Sequence, residues 1–369
     1  LRLRLEPRPR PSRLWLWGSP ILAILLTVLT GAVLFAAIGR DPLASLEAYF
    51  ISPLATTYGL AELALKGTPL ALIAVGLSFG FRANVWNIGA EGQFTMGAIA
   101  AAGVALQFAG SEATFELPLM LLAAILAGMG WAALPAFLRA RLEVSEILVS
   151  LMLTYVATLF LSFLVYGPWK DPAGFNFPQT IMFDQSAAVP VILANTRLNL
   201  GVVLALLIVA VAWLVQRQSL LGFQLRVMGL APLAARYAGF GRARLIWISL
   251  LLSGGLAGLA GALEVAGPLG QLVPVISQGY GFTAITVAFL GRLHPFGILL
   301  ASLALALSVI GGENAQIAVG VPRAATGVFQ GLLLFYLLGA DILVRYRLRR
   351  LAEPGSLGAA RQRATTETA

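Results

Sequence analysis

The residues of this chain whose types suit them to chemistry lie where chemistry is expensive. Residues 83–98 read ANVWNIGAEGQFTMGA and set Trp86, Asn87, Glu91 and Gln93 in a long apolar neighbourhood. A buried polar group without a partner is destabilising by a few kcal/mol, and an ionisable one in hydrocarbon by more, so such residues face other helices or a watered cavity. Asn87 and Gln93 offer donors and acceptors without fixed charge, suited to hydroxyls or the edge of a heterocyclic base. Gly89, Gly92 and Gly97 permit a bent or interrupted helix, and Glu91 either hydrogen-bonds a hydroxyl or pins that bend. Trp86 either stacks on a ring or anchors the chain at the membrane interface beside Arg82. A second acid, Glu264, sits in SGGLAGLAGALEVAG at 253–267, where it either makes a structural hydrogen bond or lies on a transport path. Glu313 and Asn314 carry the same ambiguity, and Lys66 is placed to snorkel outward.

No enzyme chemistry is visible around these residues. The chain has no cysteine, which excludes disulfides, thiolate nucleophiles and cysteine-ligated metals, and its one histidine, His294, is the only imidazole base. GLSFG at 76–80 matches the serine-hydrolase pattern with Ser78 as nucleophile, but that motif needs a strand-turn-helix elbow and a triad, whereas here it closes an apolar helix. GYGFTA at 279–284 fits a dinucleotide fingerprint without a β-α-β context. There is no Walker A sequence, and Lys66 and Lys170 are the only lysines. The expectation is a protein without catalytic residues, metal or cofactor.

The elements that must position the polar residues are membrane spans. Of 369 residues 59% are hydrophobic and 11% charged, with a mean hydropathy of +0.87; soluble domains carry roughly 25% charged residues. At about 20 apolar residues per crossing, spans are expected near 19–39, 60–81, 88–109, 117–138, 146–167, 199–216, 245–267, 274–292, 295–312 and 324–344. That predicts an all-α polytopic membrane protein of about ten transmembrane helices, with 19–345 as the membrane domain. The N-terminal apolar run is about twice the length of a signal-peptide core, so it reads as a retained span. Placing the N-terminus inside puts 20 of the 25 basic residues on the inner side and leaves Arg40, Lys66, Lys170, Arg197 and Arg323 outside. Both termini are therefore expected in the cytoplasm, with 1–18 a basic N-terminus and 346–369 a polar, disordered tail. The net charge of +9 comes from these topology signals, and no nucleic-acid motif accompanies it.

Two connections break the pattern of short turns. Residues 168–198, rich in proline and aromatics, suit a folded external docking surface. Residues 217–244 form the longest internal connection and hold five arginines. Within it APLAARYAGFG has Pro232 where a helix starts, small Ala234 and Ala235, Arg236, and Gly239 where it stops. That predicts a short cytoplasmic helix, lying either in a groove of a partner protein or on anionic lipid. Gly254, Ala257, Gly258 and Gly261 recur at close helical spacing and predict close packing of helix backbones.

Ala234, Ala235 and Gly239, as A-A-x-x-x-G, resemble the coupling loop of bacterial ATP-binding-cassette import permeases. RVMGLAP before it and LSGGLAGLAGALEVAG after it are similar to the branch serving branched-chain amino acids, sugars and nucleosides, and ANVWNIGAEGQFTMGA resembles the nucleoside-type members. The likeness spans about 60–345, with Leu233 in place of the glutamate that opens the coupling motif in many importers. The resemblance implies two pseudo-symmetric halves in the bacterial cytoplasmic (inner) membrane and coupling to ATPase subunits through Pro232, Ala234, Ala235, Arg236 and Gly239. It also implies a second, paralogous permease, an extracytoplasmic substrate-binding lipoprotein, and a path for a neutral polar solute, most plausibly a nucleoside, along Trp86, Asn87, Glu91, Gln93 and Glu264. A sugar or branched-chain amino acid permease is the first alternative. The second is a secondary transporter or channel, for which Glu91 and Glu264 would be ion-coupling carboxylates.

Overall fold

The computed structural model describes residues 2–8, 13–111 and 113–351. Thirteen α-helices fill most of them. In chain order these are α1 (Arg13–Ala37), α2 (Pro42–Leu46), α3 (Thr57–Arg82), α4 (Ala90–Gln107), α5 (Glu116–Leu142), α6 (Glu146–Tyr166) and α7 (Leu200–Gln218), then α8 (Leu220–Leu230), α9 (Pro232–Tyr237), α10 (Arg242–Glu264), α11 (Tyr280–Leu290), α12 (Pro295–Val319) and α13 (Arg323–Arg345). Each of the ten expected spans coincides with one helix, and the three extra helices are short and lie in connections. Among the described residues, six helices are both long and apolar enough to cross a membrane: α3, α5, α6, α7, α12 and α10 with its π-helical extension to Leu269. The chain is a multi-pass, all-α membrane protein.

Two units divide the chain. In the first, built from residues up to Leu46 and from Gln316 onward, α1 packs on α13. Phe35 stacks on Phe329 at 5.8 Å, and the Thr30 and Tyr336 hydroxyls meet at 2.8 Å. Strand β1 (Arg2–Pro7) pairs antiparallel with β2 (Tyr346–Leu351), so the start of the expected structureless tail is a strand here. Residues 352–369 lie outside the described residues.

The second unit, Glu47–Ala315, is organised around α10, which packs against α3, α4 and α5. The small residues of 253–267 make this possible. A Cβ on Gly258 would stand 2.2 Å from the Ala124 carbonyl oxygen, and one on Gly97 would stand 2.3 Å from the Gly258 Cα. The glycine face thus packs α4, α5 and α10 backbone to backbone within one subunit.

The span expected at 274–292 is shorter in the structure. Only Tyr280–Leu290 is helical, about 16 Å at 1.5 Å per residue, or half of a ~30 Å hydrocarbon core. Its start is fixed locally: Gly279 adopts φ +89°, and the Ser277 hydroxyl accepts from the amides of Gly279 (3.0 Å) and Tyr280 (2.9 Å). Upstream, the chain bonds instead to the 168–198 loop. Thr180 N–H donates to the Leu272 carbonyl, Leu272 N–H donates to the Thr180 hydroxyl, and Phe183 N–H donates to the Gly270 carbonyl. Irregular backbone at membrane depth persists only where protein satisfies it or a cavity borders it, and here the long loop does part of that work.

Candidate functional site

The stretch 83–98 forms a turn that re-enters the helical bundle. Asn84 takes φ +56° and turns the chain after α3, and α4 begins at Ala90. Asn87 and Gln93 then bind each other. Asn87 Nδ2 donates to Gln93 Oε1 at 2.7 Å, and Gln93 Nε2 donates to Asn87 Oδ1 at 3.0 Å. Asn87 Nδ2 also donates to Ser253 Oγ on α10 at 2.9 Å, while its Oδ1 accepts from Gly89 N–H at 3.2 Å. Both amides are buried, at 2% and 1% exposure. Their hydrogen-bonding capacity is therefore nearly filled, and they clamp the turn to α10 instead of facing open space.

Glu91 occupies the first turn of α4 and the start of α11 at once. Its Oε2 accepts from Gly281 N–H at 2.6 Å. A carboxylate at a helix N-terminus is favoured by unpaired N–H groups and the helix dipole, and Glu91 sits at two such ends. Through its bond to Gly281 it joins the first turn of α4 to the first turn of α11.

Trp86 lies elsewhere. Its ring packs against Phe81 at 5.0 Å and Phe289 at 5.7 Å, its indole donates to Asn84 Oδ1 at 3.1 Å, and its amide donates to Glu146 Oε1 at 3.2 Å. Phe81 and Phe289 stack at 4.9 Å, so an aromatic cluster joins the far ends of α3 and α11. Arg82 closes the same end by donating through Nη2 to the Leu293 carbonyl at 2.7 Å.

Glu264 ends α10 at the opposite end of α11, next to Tyr280, the first residue of that helix. The Tyr280 ring meets Phe94 edge-on at 5.9 Å. Lys66, Arg197 and Glu62 stand close enough to act on Glu264 electrostatically. Lys66 approaches Glu313 at 4.0 Å, and Arg197 grips Glu62 with Nε–Oε1 at 2.8 Å and Nη2–Oε2 at 2.5 Å. The Arg197 guanidinium, in the 168–198 loop, has its pKa raised by that hydrogen bond. The structure thus gathers Glu91, Glu264 and Tyr280 around one helix start, with Asn87 and Gln93 bracing behind and Trp86 apart. Tyr280, Phe94 and the Glu62–Arg197 pair escaped sequence reasoning. Tyr280 and Phe94 read as span residues, and the pairing joins positions 135 apart.

In the 217–244 connection, α9 starts at Pro232 and ends at Tyr237, with Gly239 just beyond it at φ +77°. Ala235 is buried at 3% exposure, so its methyl packs within this chain. The outward face is formed by Leu230, Leu233 and Tyr237, at 80%, 73% and 93% exposure, with Ala234 and Arg236 also exposed. Ser78 is no nucleophile. Buried, it donates to the Val75 carbonyl at 2.6 Å and accepts from Gln216 at 2.7 Å, joining α3 to α7.

The site thus combines a central helix packed through glycines, a half-helix broken beside two acids and an elbow with an exposed apolar tip. The family model described as branched-chain amino acid transport system / permease component matches residues 59–338. The chain belongs to this family. As such a permease it does no catalysis of its own; ATP hydrolysis resides in partner subunits. The permease is 35% identical over 359 residues to the glucose ABC transporter permease protein TsgB13 of Haloferax volcanii, covering 94% of each chain. It is 31% identical to the guanosine ABC transporter permease protein NupP of Bacillus subtilis, covering 91% of the permease and 97% of NupP. A second protein of that organism, the guanosine ABC transporter permease protein NupQ, is 31% identical over 66% of the permease and 79% of its own length.

Proposed function

We propose that this permease imports nucleosides across the cytoplasmic membrane, receiving them from an external binding lipoprotein and working beside a second, paralogous permease and two ATPase subunits. The observation that carries the substrate reading is the chemistry around the start of α11. Its N-terminal amides, which would attract an anionic substrate, are occupied by the chain's own Glu91. Beside them stand a carboxyl and a phenol, Glu264 and Tyr280, with the Phe94 ring against Tyr280. Carboxyl and phenol oxygens side by side suit the hydroxyls of a ribose, while the Phe94 ring, fully buried, holds Tyr280 from behind. Asn87 and Gln93 serve this path from behind by holding the turn to α10.

Two permeases named for guanosine in one organism both resemble this chain, which supports a heteromeric pair. The exposed Leu233 and Tyr237 support α9 as the element that engages an ATPase groove, with Ala235 and Gly239 shaping it from within. A sugar is the second reading, favoured by the 35% identity to a permease named for glucose. The test is uptake of labelled guanosine by cells expressing the complete transporter, comparing Glu264→Gln and Tyr280→Phe with the unaltered chain at equal membrane abundance. Both variants should slow uptake; unchanged rates in both would remove this site from the path.

A further inference from the structure

The 168–198 loop is tied to the connection between α4 and α5 by a short run of oxygen-bearing residues. Asp184 Oδ2 accepts from Gly110 N–H at 2.6 Å, and two residues later the Ser186 hydroxyl reaches Glu116 Oε2 at 2.6 Å and the Ser111 carbonyl oxygen at 3.2 Å. Glu116 is the first residue of α5 and is 0% exposed. Its other carboxyl oxygen, Oε1, is buried without a hydrogen-bond partner among the described residues, and the Ser111 hydroxyl oxygen is too. Ser186 touches both residues that carry these free oxygens. No arginine, lysine or histidine lies within ion-pair distance of Glu116 or Asp184 among the described residues.

A carboxylate taken out of water is strongly destabilising unless a counter-charge and hydrogen bonds compensate it. The dipole at the start of α5 supplies part of that compensation, but it gives Oε1 nothing to bond. The donors around Ser186 are all oxygens: the Glu116 carboxylate, the hydroxyl and carbonyl of Ser111, the Ser186 hydroxyl and, at the exposed rim, Asp184. No three acidic or histidine side chains come together among the described residues, and the chain has no cysteine. Metals that select nitrogen or sulfur therefore have no ligands here. Calcium differs, since it accepts carboxylate, carbonyl and water oxygens in a flexible shell, whereas magnesium demands a near-ideal octahedron and sheds its water reluctantly.

We propose that Glu116, Ser111, Ser186 and Asp184 form a calcium site between the 168–198 loop and the start of α5, on the side that the arginine asymmetry assigns to the exterior. Glu116 Oε1 and the Ser111 hydroxyl are the inner ligands, and Asp184 with water closes the solvent side. The ion neutralises two carboxylates that have no basic partner and fastens the loop to α5. The same loop bonds Gly270 and Leu272 through Phe183 and Thr180, so calcium also steadies the chain leading into α11.

The full-length chain, purified in detergent and freed of divalent ions by a chelator, is dialysed against radioactive calcium, and protease cleavage within 168–198 is followed with added calcium or magnesium. Calcium should bind one per chain with a Kd of about 0.1–1 mM, the range of extracellular calcium modules, and should slow cleavage of the loop. Magnesium at the same concentration should do neither. Glu116→Gln should weaken calcium binding at least about tenfold. Ser111→Ala, a smaller change that leaves the buried acid in place, should weaken it several-fold, and protection of the loop should fall in step. Asp171→Asn alters an acid of the same loop that serves its own turn by accepting from Ala173 N–H, and it should leave binding unchanged. Calcium held equally well by Glu116→Gln and Ser111→Ala would overturn the proposal, as would magnesium binding as tightly. Absence of saturable calcium binding would overturn it too, and would leave a proton or a water as the partner of the free oxygen.

Discussion

Replacing Glu91 with alanine should loosen the break between α10 and α11 more than any other single change at the site. The side chain is buried and accepts from Gly281 N–H at 2.6 Å. Removing it leaves a buried N–H unsatisfied, at about 1–3 kcal/mol. It also removes a negative charge from two helix N-termini, worth about 0.3–1 kcal/mol each. Together the loss is about 1.6–5 kcal/mol, and even its lower end is roughly a 15-fold change in an opening equilibrium. Amide hydrogen exchange over 279–283 reads that equilibrium directly. These amides should exchange at least about 15-fold faster in Glu91→Ala, while α5 and α7 keep their protection. Glu91→Gln, which retains an acceptor oxygen, should fall between. If the 279–283 amides exchange no faster in Glu91→Ala, the carboxyl does not hold α11 and the reasoning about the helix start is wrong.

Other consequences are as specific. Leu233→Asp and Tyr237→Ala, on the outward face of α9, should abolish substrate stimulation of ATP hydrolysis while the complex still assembles; Ala235→Leu, on the inward face, should destabilise the elbow by about 1–3 kcal/mol and reduce the yield of assembled complex. Gly258→Leu should prevent accumulation of the chain in the membrane, because its Cβ would enter the Ala124 carbonyl, and immunoblotting of membranes would show it. His294, the only histidine, gives a single imidazole signal by nuclear magnetic resonance. Its folded pKa is depressed, so the unfolded chain binds the proton more readily and local stability falls as pH drops below about 6.5. The signal should titrate below that value and move upward in Arg217→Gln.

Much of this architecture is written in one-dimensional patterns. Apolar runs place ten helices, proline and glycine bracket α9 at Pro232 and Gly239, and the small residues around Gly258 foretell the tightest contacts. What periodicity does not carry is pairing across the chain. Asn87 and Gln93 have the types of substrate-binding residues, yet both are engaged with each other and with Ser253, because a buried amide at a turn finds an internal partner whenever geometry allows. The short α11 is hidden for a similar reason. Residues 274–279 read as span, but Gly270 and Leu272 just before them bond to Phe183 and Thr180 in a loop some 90 residues earlier in the chain, and Ser277 with Gly279 starts the helix only at Tyr280. Ala235 shows the reverse: small size suggested a surface meeting a partner, and its own chain buries it while Leu233 and Tyr237 face out.

The most direct test of nucleoside import is uptake into proteoliposomes holding the permease with its paralogue, ATPases and binding lipoprotein, with labelled guanosine, glucose and leucine offered at equal concentration. ATP-dependent accumulation of guanosine, undiminished by excess glucose or leucine and suppressed by unlabelled nucleoside, is the predicted result. Accumulation of glucose with indifference to every nucleoside would contradict it.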